Sequence, residues 1–282
     1  MTVEMGNLLY FAFIFLCVGI TVWLYFLLRH KSEKTIKIVL FCLLIFNVLL
    51  HFSKVFYPPY SQDPKTLMRG LGFANLCATS VLFFPIIFLS KSNTWRDYMV
   101  YMGILSGGAT MIFPEGVLGE SMNTFDNWRF YICHMLLFVV SFLMLVLRVQ
   151  KVDYHRIWRI PFCVYAMFLV IMMNDVLQSE LGIRALRGDD MFDINYSNES
   201  LVWGPDRVAG PLLSWLTPEF MKYVPFGEHA GEAKYWPFFW LLVPTFVYGV
   251  VGCFLLCLPF EFKHIKNDCK NLFNKFKSKK TN

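Results

Sequence analysis

The sequence predicts an all-α, polytopic membrane protein with seven transmembrane helices, the N-terminus outside and the C-terminus inside. Three observations carry this. Apolar residues make up 56% of the 282 residues and the mean hydropathy is +0.49, whereas a soluble chain is about 45–50% apolar. The excess is gathered into seven blocks, 8–28, 36–57, 71–89, 98–113, 128–148, 157–178 and 235–259. Most approach the ~20 residues that cross a hydrocarbon core of ~30 Å. Finally, with the N-terminus outside, the inner segments hold 17 of the 26 Lys and Arg, as the positive-inside rule asks.

The elements follow in order. Blocks 8–28 and 36–57 are long enough to span, and the basic residues Arg29, Lys31, Lys34 and Lys37 lie between or just inside them. Block 71–89 returns inward to Lys91 and Arg96. Block 98–113 is short, is stopped by Pro114 and contains Gly103, Gly107 and Gly108, so it reads as a tilted or partly re-entrant helix. Its Gly103-x-x-x-Gly107 offers a small face for close helix packing; room for a substrate is the alternative. Blocks 128–148 and 157–178 flank Arg148, Lys151, Arg156 and Arg159. The outer loop 179–234 is too long for a plain connector. Its part 210–226, "GPLLSWLTPEFMKYVPF", reads as a short interfacial helix, and Asn195 and Asn198 begin sequons that matter only in a eukaryotic secretory setting. Residues 1–262 thus form one seven-helix domain, followed by a basic cytoplasmic tail at 263–282.

The net charge of +6 is concentrated in that tail, which points to anionic lipid and not to nucleic acid. The N-terminal "MTVEMGN" has neither a basic n-region nor a cleavage site, so no removable signal peptide is expected. Of the eight cysteines, those at 17, 42, 77, 133, 163, 253 and 257 fall within spans and Cys269 in the tail. No disulfide framework and no paired metal spacing follows. No cofactor is expected.

Polar residues inside the spans collect at one level. Asn47, His51 and Lys54 share a helix face near the outer end of the second span. Asn75 and Cys77 lie in the outer half of the third, Arg129 and His134 in the fifth, and Asn174, Asp175 and Gln178 end the sixth. Intramembrane ionisable groups face a bundle interior or a water-filled cavity, so one polar cavity opening outward is the economical reading. Plainer roles stand beside it. Asn47 and Asn75 can hydrogen-bond between helices, Lys54 and Arg129 can reach the headgroups, Cys77 can be a small buried hydrophobe, and Asp175 can sit at the water boundary. Chemically, a histidine within reach of Cys77 could take its proton, and Asn75, Thr79 or Ser80 could donate to an oxyanion.

The stretches "NLCATSVLFFPIIFL", "YMGILSGGATMIFPE", "RFYICHMLLF" and "YWPFFWLLVPTFVYGVVGCFLLCLPF" resemble the YwaF family of bacterial integral membrane proteins, related to the eukaryotic transmembrane protein 164 family. The resemblance implies a seven-helix bundle in a bacterial plasma membrane. It also implies a lipid acyltransferase or acyl hydrolase using Cys77 and His134, with membrane phospholipid as partner. The other polar residues, Asn47, His51, Lys54, Asn75, Arg129, Asn174 and Asp175, would support the site or bind substrate. Two alternatives remain: a binder or transporter of a small polar solute, and a zinc hydrolase using His51, His134, Cys77 and Asp175.

Overall fold

The computed structural model describes residues 2–183, 200–205, 209–227 and 230–279; the sequons at Asn195 and Asn198 lie outside them. Among the described residues the chain is all helix, with a single isolated bridge, Thr2 to Ser121.

Helix α1, Leu8–Leu28, starts where Asn7 accepts the Tyr10 N–H at 2.9 Å, which satisfies one of the donors a helix start leaves open. Ser32 does the same for α2, Glu33–Phe52. The third block is not one helix. Asp63 caps α3, Pro64–Leu71, with Pro64 in its first turn. The backbone then leaves helical geometry at Gly72 and restarts as α4, Leu76–Leu89, at an angle of 59°. Fourteen residues at about 1.5 Å each give only about 21 Å, so α4 spans a bilayer only together with α3.

Next come α5, Asn93–Met102, a π turn at Gly103–Gly107 and α6, Gly108–Ile112. These three pieces follow without a gap and occupy the fourth expected block. Helices α7, Phe125–Val146, and α8, Ile160–Glu180, carry much of the buried surface. The short helix α9, Gly210–Leu216, occupies the first part of the stretch 210–226 and leaves Leu212 and Trp215 exposed. The last helix, α10, Leu242–Lys279, is 38 residues long and continues through 262 into the basic tail without a break. Five helices (α1, α2, α7, α8 and α10) are long and apolar enough to cross a membrane, and the bent α3–α4 pair makes a sixth.

The Gly103/Gly107 face packs on α7. A Cβ at Gly103 would fall 1.9 Å from Ser141 Oγ and one at Gly107 2.9 Å from the His134 carbonyl oxygen. Packing is therefore what these glycines do. At one end of the bundle, Val3 bonds to Glu120, Tyr57 stacks on Phe125, and the Tyr60 hydroxyl donates to Asp126. At the other end the fully buried Asp97 accepts from Gln150 at 2.7 Å and from Arg156 at 2.6 Å, while Tyr154 bonds Asp268 of α10. A buried carboxylate is tolerable only with such partners, and this one ties α5 to the α7–α8 connection.

Candidate functional site

The break between α3 and α4 organises the site. Backbone groups freed by a broken helix in a membrane need partners from elsewhere, and the intramembrane polar side chains supply them. From α2, the Lys54 ammonium donates to the Gly70 carbonyl and His51 Nε2 to the Leu71 carbonyl at 3.2 Å. From α8, Gln178 donates to the Met68 carbonyl at 3.4 Å and to Asn174 Oδ1 at 3.3 Å. On the other side of the break, Ser200 of the outer loop accepts the Leu76 N–H at 2.8 Å. Asn75 is the N-cap of α4, its Oδ1 taking the Ala78 N–H at 2.8 Å.

Capping puts Cys77 in the first turn of α4, where the helix carries partial positive charge and favours an anion. Cys77 lines a cavity of about 670 Å³ together with Asn75, Thr110, Glu115, His134 and Ser200, closed on its apolar sides by Phe113 and Phe130. Binding cavities for small molecules are of this size. The hydroxyls of Ser106 and Thr110 stand beside the thiol. Each gives its own proton to a backbone carbonyl, Ser106 to Met102 at 2.6 Å and Thr110 to Ser106 at 2.9 Å, so both turn lone pairs outward.

His134 lies on α7 with Nδ1 2.7 Å from the Phe130 carbonyl oxygen and its ring 4.3 Å from the Phe130 ring. A carbonyl only accepts, so Nδ1 carries the proton and the neutral ring keeps its lone pair on Nε2. Cys77 and His134, from two different helices, thus share one cavity.

A model of the TMEM164 family matches residues 2–256. The chain belongs to the TMEM164 family. No curated protein and no solved structure matches it. The match to this TMEM164-family chain covers every residue of the cavity and stops short of the basic tail.

The remaining expected site residues are placed as follows. Asn47 is buried and donates to the Cys133 carbonyl at 3.2 Å, an interhelical bond. His51, Lys54 and Asn174 serve the α3–α4 break. Arg129 pairs with Asp126 at 2.6 Å, and Thr79 and Ser80 are fully buried in the packed interior. Asn75 caps α4 through its side-chain oxygen. One expectation needs correction. Asp175 is not at the water boundary, because it is buried at 2% exposure and accepts the Trp203 indole N–H at 3.0 Å. With His51 and Asp175 so engaged, the four-ligand zinc set is not assembled, and among the described residues no three His, Cys, Asp or Glu side chains form a metal-binding group.

Sequence reasoning missed three contributors. Ser106 and Thr110 sit four apart on the face of the "GILSGGAT" stretch that turns from α7, and helical spacing could have found them. Ser200 carries no sequence signal, since its role depends on a loop folding back. Replacing Asn75 by Ala is expected to cost about 1 kcal/mol through the lost cap, read as a lower thermal midpoint of the solubilised protein. Asn75→Ser, which can still cap, should recover most of it. Equal losses in the two variants would mean that capping is not what Asn75 provides.

Proposed function

We propose that this protein is a membrane-embedded lipid acyltransferase or acyl hydrolase in which Cys77 is the nucleophile and His134 the general base. The observation that supports the reading is that a helix-start cysteine and a histidine whose Nε2 keeps its lone pair line the same cavity. His134 Nε2 takes the thiol proton as Sγ attacks the carbonyl carbon of an acyl ester. The tetrahedral oxyanion collapses to a thioester, and the departing alkoxide receives the proton back from His134. A second alcohol, or water, then gives its proton to His134 and attacks the thioester, releasing the new ester or free acid together with the Cys77 thiol.

An oxyanion needs donors fixed in advance. The first turn of α4 supplies one. Leu76 N–H goes to Ser200, Ala78 N–H to Asn75 Oδ1 and Thr79 N–H to the Asn75 carbonyl. The Cys77 N–H has no partner among the described residues, and it belongs to the residue whose sulfur attacks. Asn75 and Ser200 then act by holding that turn in place.

The reading extends to the whole chain. Residues 1–262 form one seven-span domain, with α5, the π turn and α6 as the fourth span, the N-terminus outside and the basic segment 263–282 inside. The resemblance to bacterial YwaF proteins supports the plasma membrane of a bacterium, and the cavity would then lie in the outer third of the bilayer, within reach of a phospholipid ester.

The test is the intact mass of the purified protein after incubation with phospholipids of defined chain length. A hydroxylamine-labile adduct of one acyl chain, mapped to Cys77 and absent from Cys77→Ala, is expected. Wild-type protein that stays unmodified across phospholipid classes, with Cys77 no more reactive to a thiol probe than Cys133, would remove the enzyme reading.

A further inference from the structure

A second cavity of about 670 Å³ opens at the end of the bundle that carries the basic tail, between α2 and the α4–α5 connection. Its wall is apolar: Phe41 and Phe88 lie with ring centroids 6.1 Å apart, and Leu89 is exposed beside them. Its rim is basic: Lys34, Lys37 and Arg96. Lys37 is paired with Glu33 at 2.6 Å, but Lys34 has no partner among the described residues. Arg96 makes one hydrogen bond, from Nη2 to the Val149 carbonyl at 2.8 Å, and its Nε is buried without a partner. The rim therefore carries a net charge of about +2 once Glu33 is counted.

We infer that this groove holds one anionic phospholipid of the adjacent leaflet, its phosphate between Lys34, Lys37 and Arg96 and an acyl chain along Phe41, Phe88 and Leu89. Two features favour a lipid over a free anion. The cations stand at one end of an apolar wall, which matches a molecule with a charged head and a hydrocarbon chain, and basic pockets between transmembrane helices on this side of a membrane bind such headgroups. The surface of α2 beyond the groove is also apolar, with Ile45 and Phe46 exposed. This site is at the opposite end of the bundle from the Cys77 cavity and does not depend on acyl transfer.

The groove contains its own reporter. Cys42 lines it and is exposed, while Cys269 of α10 is exposed elsewhere. The experiment measures peptide-resolved alkylation of both cysteines in the delipidated full-length protein, titrated with phosphatidylglycerol or with phosphatidylcholine of identical chains. Phosphatidylglycerol is expected to slow Cys42 but not Cys269, at concentrations about 25-fold below those of phosphatidylcholine. That ratio follows from roughly fivefold for each of the two net positive charges beside an anionic lipid. Lys34→Gln with Lys37→Gln, both on the exposed start of α2, should abolish the preference, and an unchanged thermal midpoint would show that the variant is folded. Equal protection by both lipids, or a preference unchanged in the folded variant, overturns the site. Protection by inorganic phosphate alone overturns the lipid assignment.

Discussion

His134→Ala is expected to slow acylation of Cys77 by about 10²–10⁴-fold, the usual contribution of a positioned general base. The helix bundle should remain folded, because the ring's one hydrogen bond returns to Phe130 of its own helix and ties no other element. A single-turnover measurement of thioester formation isolates this step from release. The decisive readout is rescue: added imidazole should restore part of the rate in His134→Ala and none in Cys77→Ala. A histidine that only fills space against Phe130 would give a variant with little rate loss and no rescue.

The contrast is His51→Ala. His51 is the other intramembrane histidine, yet its Nε2 donates to the Leu71 carbonyl at the end of α3. Removing it leaves a partly buried carbonyl unpaired, which costs at most about 1–3 kcal/mol. The expected signature is a lower thermal midpoint with a rate loss that imidazole does not relieve. The two histidines look alike in the sequence, each a polar residue near the outer end of an apolar span. Their partners separate them, one bonding back along its own helix and the other across to a neighbouring helix.

That difference marks what could be read before the structure. The run Leu8–Leu28 coincides with its apolar block because a span bounded by a capping Asn7 and a basic Arg29 has its ends written in adjacent residues. That polar side chains from several spans would gather was legible from residue counting, and His51, Lys54 and Gln178 do gather on the α3–α4 break. The α3–α4 break was not. Gly72, Phe73 and Ala74 lie in an apolar stretch with no breaker beyond one glycine, and what sustains the break is donors from His51, Lys54 and Gln178 and an acceptor, Ser200, from the outer loop. Local pattern does not show which distant side chain will satisfy a carbonyl. For the same reason the polar cluster divides in two, with His51, Lys54, Asn174 and Gln178 holding the backbone, and Cys77 and His134 lining the cavity that this backbone shapes.

Gly107→Ala is expected to impair the protein strongly. Its Cβ would lie 2.9 Å from both the His134 carbonyl oxygen and the Phe138 backbone nitrogen, so no side chain can turn aside to admit it. The α5–π turn–α6 segment must shift away from α7 at the level of His134. Overpacking of this kind costs about 1–3 kcal/mol. A displacement of about 1 Å between catalytic groups can lower rate by about 10²-fold even where the fold survives. Gly103→Ala should be comparably destabilising, with Ser141 Oγ at 1.9 Å and the Leu137 carbonyl oxygen at 2.8 Å. There Ser141→Gly should recover part of the loss by removing the nearer contact, although it also removes the bond from Ser141 to the Met99 carbonyl. The control is Gly108→Ala, whose nearest contact is 3.4 Å, to the Phe138 ring. Helix propensity favours that change by about 0.5–1 kcal/mol, so its thermal midpoint should hold or rise. If all three alanines behaved alike, the close approach of the π turn to α7 would not be what fixes His134 relative to Cys77, because the three positions differ in that approach while the added atom is the same.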